Sequence, residues 1–190
     1  MNVQKNCPCL DEAAVREIIH NICVEHNYDE SLFKNEIGKA MIGWFSRSIA
    51  ASIFVFSHCE DGELCVLASE RGKDAADFNG YWNCPCGYLD FSETAKECAI
   101  RECLEETGIK IPTSVVSFFG YNDDPIDSNK QNVTFRFIAK IDKKDSNFSK
   151  KLNEGEEVGE IKWIRLKDIN EYQWAFGHDK IIISASKLIL

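Results

Sequence analysis

The sequence predicts an α/β fold in which helices cover both faces of a mixed sheet, preceded by a helical N-terminal extension. Apolar runs of strand length stand on both sides of one central helix, and a second helix closes the chain. Strands that flank one helix and precede another suit a sheet that is covered on both faces. A chain of 190 residues can bury one substantial core, so we expect one main domain.

Two amphipathic helices are predicted at the start of the chain. Apolar side chains recur at helical spacing from Val15 to Ile22 and again from Phe33 to Trp44. We therefore divide the chain into a helical extension, residues 1–46, and a main domain, residues 47–190. Three interpretations of the extension stay open, in order of preference: a cap packed on the core, a dimer surface, and a substrate-selecting module.

The main domain is predicted to begin with a hairpin. Ser48 to Phe56 is nearly all apolar or small, as in a buried strand, and Asp61-Gly62 is typical of a turn into a strand from Leu64 to Ser69. A short connection through Pro85 then leads to a turn at Gly87, before the central helix.

The central helix is predicted to begin near Ala95, because Thr94 and Glu97 have the spacing of a capping box. Apolar periodicity then predicts three strands and a closing helix, with a polar loop between the first two strands. These later elements are the strands Val115 to Tyr121, Val133 to Ile141 and Ile161 to Leu166, and the helix Asp179 to Leu190.

Charge and cysteine content narrow the classes of function and location. A formal net charge of −9 argues against nucleic-acid binding, which normally uses a basic face. The N-terminus lacks an apolar signal core and no apolar run has the length of a membrane span, so we expect a cytoplasmic protein without membrane contact. Nine cysteines, an odd number, favour reduced thiols over a disulfide framework.

The central helix carries an acidic stripe. Glu102, Glu105 and Glu106 fall within an arc of about 100° at helical spacing, and their charges repel one another. A divalent cation would remove this conflict, because Mg²⁺ and Mn²⁺ prefer carboxylate oxygens. The alternative is a solvated acidic face. Gly87 before the helix and Gly108 after it favour a metal site.

The same segment resembles the Nudix box of the Nudix hydrolase family. The matching pattern is Gly87, five residues, Glu93, seven residues, Arg101-Glu102-Cys103, one residue, Glu105-Glu106, one residue and Gly108-Ile109. The single departure is Cys103, where the family usually has a larger aliphatic residue; a buried cysteine behaves as a small hydrophobe. The resemblance implies an α/β/α Nudix sandwich over about residues 47–190 and the activity of a pyrophosphohydrolase.

The resemblance also implies roles for individual residues. Glu102, Glu105 and Glu106 would hold Mg²⁺, or Mn²⁺ in its place, with Glu93 ligating or supporting and Arg101 orienting a glutamate. Glu105, Glu106 and Arg101 would be catalytic. The family often adds a carboxylate from a loop before a late strand. Four glutamates qualify and we choose Glu157, while a charged loop solvated by water stays an equal alternative for each of them. The other three are Glu154, Glu156 and Glu160.

Candidate substrate-binding residues lie outside the box. Arg71 and Lys73 could bind a phosphate, although an exposed loop is the preferred interpretation of Lys73. Trp174 and Phe176 belong to an aromatic cluster with His178, which resembles the segment before the last helix in several Nudix members. Stacking on a base and packing in the core are both open for these two aromatic residues.

Two Cys-Pro-Cys triplets, at residues 7–9 and 84–86, invite comparison with zinc sites. Structural zinc sites space paired cysteines by two to four residues, so we do not favour zinc here. Cys86 occupies a position where the family usually has glycine. Because cysteine carries a Cβ, we expect the backbone just before Gly87 to differ from that of the family.

The substrate is expected to be a small molecule that contains a nucleotide. Pro125 lies sixteen residues after Ile109, a spacing associated with ADP-ribose pyrophosphatases. The leading hypothesis is hydrolysis of a nucleoside diphosphate linked to a sugar or similar group. A nucleoside triphosphate pyrophosphohydrolase is the second hypothesis, and a non-catalytic nucleotide sensor is the third. A homodimer remains open.

Overall fold

The computed structural model describes residues 17, 20, 21, 23–25, 48–90, 92–124, 132–142 and 157–189. The chain divides into two compact units, Met1–Arg47 and Ser48–Leu190, which we treat separately. In the first unit the described residues are helical and Cys23 is buried. Most of the first predicted helix and all of the second lie outside the described residues, and the division after residue 46 stays a prediction.

The second unit is built on a mixed sheet. Among the described residues, its strands are β1 (Ile49–His58), β2 (Leu64–Arg71), β3 (Trp82–Asn83), β4 (Cys86–Tyr88), β5 (Val116–Asn122), β6 (Val133–Lys140) and β7 (Val158–Arg165). Its α-helices are α1 (Ala95–Thr107) and α2 (His178–Ser186), and its 3-10 turns are Thr113–Val115, Leu166–Glu171 and Ala175–Gly177.

Strand β1 lies at the centre and determines the topology. It pairs in parallel with β6 and antiparallel with β2 and β4, while β5 extends the sheet beyond β6. Strands β3 and β7 both pair antiparallel with β2. Strands β4 and β2 occupy successive stretches of the same side of β1. Cys84 and Pro85 lie between them in the chain, and the Pro85 carbonyl accepts from the Ile53 N–H at 3.0 Å.

The two faces of β1 pack against different helices. Ile53 and Val55 pack in a core with Cys103 of α1, whereas Phe54 lies in a second core with Ile182 of α2. Alternate side chains of a strand point to opposite faces, so one apolar strand supplies both cores. The predicted α/β architecture with helices on both faces is confirmed. None of the described helices has the length and apolarity to cross a membrane.

Local signals predicted the ends of α1 correctly. The Thr94 hydroxyl accepts from the backbone N–H of Glu97 at 3.3 Å, and the Glu97 carboxylate accepts from the backbone N–H of Thr94 at 2.8 Å. Gly108 ends the helix with a φ of 73° and donates its N–H to the Leu104 carbonyl. The capping box and the glycine stop are therefore confirmed.

Two predictions near the site and the hairpin need correction. Gly87 was expected in a turn, but it lies in β4, paired with Ala51 of β1. Strands β3 and β4 contain two and three residues, too few for periodicity to reveal. The expectation of reduced thiols is wrong for Cys59 and Cys65, which flank the β1–β2 turn and form a disulfide.

Candidate active site

A cleft of about 1110 Å³ lies between the sheet and the side chains of α1. Its acidic wall is formed by Glu102, Glu105 and Glu106 of α1. Its floor comes from β1, β4 and β6, and the opposite wall from the segment after β2 and from the start of α2. The helical period therefore brings the acidic stripe to a concave surface, which is where small-molecule sites occur.

Arg101 organises the acidic wall from one side. Its Nη1 donates to Glu102 Oε1 at 2.8 Å and to Glu105 Oε2 at 2.9 Å. Its Nη2 and Nε donate to the two oxygens of Glu93 at 2.7 and 3.1 Å, and Nη2 also donates to the Tyr88 carbonyl. The hydrogen bonds from Arg101 hold the pKa of Glu93 below its ordinary value. One guanidinium thus positions three carboxylates.

Glu106 lies deepest among the acidic residues. Its two oxygens accept from the backbone N–H of Cys86 and from the Ser69 hydroxyl, each at 3.3 Å. Burial raises the pKa of Glu106 to about 8, and the negative charge of Glu102 adds to the shift. Burial also raises the pKa of Glu102, against the opposing effect of Arg101. In both residues the largest cause is burial, which disfavours the charged form of a carboxyl.

Gly87 makes room for the acidic wall. A Cβ built at this position would overlap the carboxylate of Glu102. The absence of a side chain, rather than a special backbone conformation, is therefore what the site requires of this glycine. The preceding residue, Cys86, carries its Cβ without conflict because β4 is extended there and its side chain lies in the cleft.

The donor set of the wall fits a divalent cation. Glu102, Glu105 and Glu106 supply carboxylate oxygens, which are the ligands that Mg²⁺ and Mn²⁺ prefer. Burial is the largest cause of the raised pKa of Glu106, and a cation bound beside this carboxyl would favour its charged form. Among the described residues, no group of three or more His, Cys, Asp or Glu side chains is arranged to hold a metal ion, and Arg101 donates to both Glu102 and Glu105.

Arg71 and two aromatic rings form the opposite wall. Arg71 is bound by Asp77 through Nη2 to Oδ1 at 2.6 Å and Nε to the carbonyl at 2.8 Å. Its guanidinium lies 5.0 Å from the ring centroid of Phe176, which contacts Phe78 edge-on at 5.1 Å. Phe78 and Phe176 have φ values of 53° and 58°, a conformation rare for large residues that persists where the surroundings enforce it.

The floor places side chains from three strands side by side. Ser52 of β1 lies between Cys86 of β4 and Arg136 of β6 in the strand register. One step further along β1, Ala50 lies between Tyr88 and Thr134. All six side chains line the cleft.

His178 closes the inner end of the cleft at the start of α2. Its Nδ1 accepts from the backbone N–H of Cys84 at 3.0 Å, so the ring hydrogen is on Nε2. Phe54 and Phe176 contact the ring at centroid distances of 5.2 and 5.6 Å. Burial, together with the positive charges of Arg136 and Arg71, lowers the pKa of His178 to about 3. The imidazole is therefore neutral and held in one tautomer.

The predicted site residues fall into three groups. Those that line the cleft are Glu102, Glu105, Glu106, Glu157, Arg71, Phe176 and Gly87. Glu93 and Arg101 stand beside the acidic wall and contact it. Lys73 and Trp174 do not line the cleft: Lys73 is exposed, and the Trp174 indole donates to the Ile169 carbonyl in the second core. Gly108 ends α1, outside the cleft.

Among the four candidate loop glutamates, the structure separates two. Glu157 lines the cleft at the start of β7, and its carbonyl accepts from the backbone N–H of Gly72. Glu160 is exposed and pairs with Lys162 at 2.7 Å. Glu154 and Glu156 lie outside the described residues, as do Pro125 and the first Cys-Pro-Cys triplet.

Sequence reasoning missed the floor of the cleft. Ser52, Tyr88, Asn132 and Arg136 all line it, and the Asn132 amide donates to the Tyr88 hydroxyl at 3.1 Å. The sequence offered one signal for this floor: the polar residues Thr134 and Arg136, which alternate with apolar residues in the strand Val133 to Ile141. The parallel pairing of β1 with β6 joins segments some eighty residues apart, and no local pattern encodes it.

The second Cys-Pro-Cys triplet contributes Cys86 to the lining of the cleft. Cys84 is buried under His178, whereas Cys86 accepts from the Asn83 amide at 3.5 Å. Burial and the charge of Glu106 raise the pKa of the Cys86 thiol to about 12. Burial also raises the pKa of the Cys84 thiol, so the buried environment favours the protonated form of both thiols.

Comparison with known proteins identifies the fold. A family model described as NUDIX domain matches residues 47–184. The NUDIX domain of Shewanella oneidensis NrtR, solved with ADP ribose, has 19% identity and a TM-score of 0.67, covering 85% of this chain and 99% of that one. The same organism's NrtR, solved with a 27mer DNA, has 19% identity and a TM-score of 0.60, with coverages of 74% and 61%.

A eukaryotic structure shows the same fold. The Ap4A hydrolase of C. elegans, solved as a binary complex, has 19% identity and a TM-score of 0.54, and the match covers 75% of this chain and 97% of that one. At these identities the structural matches show the fold alone. The family match, which spans the acidic helix and every strand of the sheet, confirms the sandwich that the motif predicted.

Proposed function

The chain belongs to the Nudix family, and from that premise we propose that it hydrolyses a nucleoside diphosphate linked to another moiety. ADP-ribose is the leading substrate. The observation that carries this proposal is the opposition of two walls across one cleft: Glu102, Glu105 and Glu106 on one side, Arg71 with Phe176 on the other. A dianionic diphosphate needs a cation on the acidic side and an arginine on the other.

Glu102, Glu105 and Glu106 are the residues that would hold Mg²⁺, or Mn²⁺ in its place. When bound, a divalent ion supplies charge neutralisation of the diphosphate and lowers the pKa of a coordinated water. Arg101 acts as a positioning residue for this group, because its Nη1 fixes one oxygen of Glu102 and one of Glu105. Glu93 in turn fixes Arg101 from the opposite edge of the guanidinium.

Glu157 is proposed to take the proton of the attacking water. Its side chain lines the cleft, and the hydrogen bond between the Gly72 N–H and its carbonyl holds the start of β7 beside the end of β2. A carboxylate on the wall next to the reacting phosphate is a suitable general base when the water is already acidified. Glu160, within β7, is exposed, pairs with Lys162 and serves as the comparison residue.

Arg71 and Phe176 are proposed to bind the part of the substrate that does not react. Asp77 holds the guanidinium of Arg71 in place, and the ring of Phe176 is stacked beneath it. Phe176 is 43% exposed, so one face of the ring remains available to a base or sugar. The ADP ribose bound by the NrtR NUDIX domain supports this choice of substrate class.

Two alternative functions, a nucleoside triphosphate pyrophosphohydrolase and a nucleotide sensor, are each supported by one observation. A nucleoside triphosphate pyrophosphohydrolase would use the same acidic wall, and a related fold belongs to an Ap4A hydrolase. A non-catalytic nucleotide sensor is favoured by NrtR, which is solved both with ADP ribose and with DNA. The complete set of Nudix-box glutamates argues for turnover rather than sensing.

A substrate panel separates the three functions. Purified protein is assayed with ADP-ribose, nucleotide sugars, dinucleoside polyphosphates and nucleoside triphosphates, each with Mg²⁺ and with Mn²⁺. Formation of AMP and ribose 5-phosphate from ADP-ribose would support the proposal, and incubation in ¹⁸O water would locate the attacked phosphorus. Preference for a triphosphate would favour the second function. Binding without turnover of any compound would favour the sensor.

A further inference from the structure

Ser52 presents a buried hydroxyl to the cleft. The residue is 1% exposed and lines the cleft from the middle of β1, on the same face of the strand as Phe54. Within the described part of the chain, its Oγ has no hydrogen-bond partner. Buried polar atoms are nearly always paired, and an unpaired hydroxyl destabilises the folded state. A polar group left in this condition at the floor of a cleft indicates that a ligand completes it.

The neighbours of Ser52 define what that ligand must be. Arg136 is its partner in the parallel register and offers a guanidinium. His178 lines the same cleft above Phe54, and its Nδ1 accepts from the Cys84 N–H, so Nε2 carries the hydrogen and can only donate. Arg136 and His178 Nε2 can donate hydrogen bonds but cannot accept them, and Arg136 is also cationic. With the Ser52 hydroxyl, they favour a ligand group whose oxygens accept hydrogen bonds.

We propose that Ser52, Arg136 and His178 form a subsite for a phosphate group of the substrate other than the one held at the acidic wall. This inference rests on the proposed function, because a nucleoside diphosphate derivative carries two phosphates. A cation held at the acidic wall would take one phosphate, and the donors of the floor would attract the other. The two sets of side chains would therefore fix the direction in which the diphosphate lies in the cleft.

Strand β1 provides a matched control. Ser57 is also 1% exposed and its Oγ also has no partner among the described residues, but it does not line the cleft. Ser52→Ala and Ser57→Ala each remove one buried hydroxyl from the same strand. A purely structural role of Ser52 would make the two variants behave alike, whereas a ligand contact would separate them.

The experiment measures binding by thermal shift and by titration calorimetry with Mg²⁺ present. The probes are adenosine, AMP and α,β-methylene ADP-ribose, whose P–C–P bridge is not hydrolysed. We expect both variants to melt at or above the temperature of the wild-type protein. We expect Ser52→Ala to bind the methylene analogue about tenfold to a hundredfold more weakly, as for one hydrogen bond to a charged group, and adenosine with unchanged affinity. Ser57→Ala should bind both like the wild type.

Steady-state kinetics supply a second readout. In the hydrolysis of ADP-ribose, Ser52→Ala should raise KM with a small change in kcat, because a subsite contact stabilises ground state and transition state alike.

Three results would overturn the assignment. Equal affinities of Ser52→Ala and Ser57→Ala for the methylene analogue would show that the hydroxyl contacts no ligand. An equal loss for adenosine would place the contact on the nucleoside. If wild-type protein binds none of the probes and hydrolyses nothing in the panel, the proposed function fails together with this inference, whereas the first two results leave it intact.

Discussion

The guanidinium of Arg101 donates hydrogen bonds to both carboxylate oxygens of Glu93, from Nη2 to Oε1 at 2.7 Å and from Nε to Oε2 at 3.1 Å. The two residues lie eight positions apart, one before α1 and one within it, so the pair connects the loop after β4 to the helix. The remaining edge of the guanidinium reaches Glu102 and Glu105. The alignment of the acidic wall therefore depends on a residue that does not line the cleft.

Replacing Arg101 by lysine should show whether the site needs only the positive charge of this residue or also the hydrogen-bond geometry of its guanidinium. Lysine keeps the positive charge but cannot bind Glu93 through two parallel bonds while also reaching Glu102 and Glu105. We expect kcat to fall at least about tenfold, from the loss of charge-assisted hydrogen bonds. Arg165→Lys is the control, because Arg165 pairs with Asp61 at the surface. An unchanged kcat in Arg101→Lys would show that charge alone suffices.

Substitution of Gly87 by alanine should act through Glu102. The new methyl group would occupy the position of the Glu102 carboxylate, which can rotate away, so the protein should fold and lose activity. The prediction is tested by a double-mutant cycle with Glu102→Ala. Adding Gly87→Ala to Glu102→Ala should cost little further activity. Independent, multiplying losses would show that Gly87 serves another purpose.

The sequence allowed accurate prediction wherever the information was local. Thr94, Glu97 and Gly108 mark the ends of α1, and the helical period alone aligns the acidic side chains. The floor could not be predicted, because Ser52 and Arg136 become neighbours only through the register of a parallel strand pair. Predictions failed where distant segments meet: Gly87 was expected in a turn and lies instead in a three-residue strand.

Comparison of Glu157→Gln with Glu160→Gln should test the general base. Both glutamates lie near the start of β7, but only Glu157 lines the cleft. We expect Glu157→Gln to lower kcat by about a hundredfold, within the range typical of general base catalysis, with little change in KM. Glu160→Gln should retain the wild-type rate. If only Glu160→Gln lost activity, Glu160 rather than Glu157 would be the general base.

The stability of the protein should depend on acid through His178. Its folded pKa of about 3 lies below the unfolded value, so the unfolded state binds the additional proton between pH 6.5 and about 3. Stability from this residue is complete above pH 6.5 and is lost as the pH falls, by about 1.4 kcal/mol per pH unit. Protonation of Nδ1 would also remove the acceptor of the Cys84 N–H.

Urea unfolding at pH 7 and pH 5 measures this dependence. His178→Asn retains an acceptor for the Cys84 N–H but does not titrate, so its stability should change less between the two pH values. His58→Gln, which replaces an exposed histidine of the β1–β2 hairpin, should keep the wild-type dependence. Equal slopes in the wild-type protein and His178→Asn would contradict a neutral buried histidine.

Glu106→Gln should make the protein more stable at high pH and also abolish most of its activity. In the metal-free protein the folded pKa of Glu106 is about 8, raised by burial, against an ordinary value of 4.5. Between these values the folded state binds the extra proton, so stability falls as the pH rises and the full penalty is present above pH 8. Glutamine cannot ionise. We therefore expect Glu106→Gln to unfold at higher urea concentration than wild type at pH 9 with chelator, and at a similar concentration at pH 4.

The same variant should lose nearly all turnover, because an amide oxygen is a weaker ligand of a divalent cation than a carboxylate. Saturating Mg²⁺ should stabilise the wild-type protein at pH 9 and leave Glu106→Gln almost unchanged, since bound cation removes the penalty of the buried charge. Thermal melts with and without Mg²⁺ measure this difference. Wild-type rates in Glu106→Gln at saturating Mg²⁺ would refute the role of this glutamate, and a lower stability at pH 9 would refute its elevated pKa.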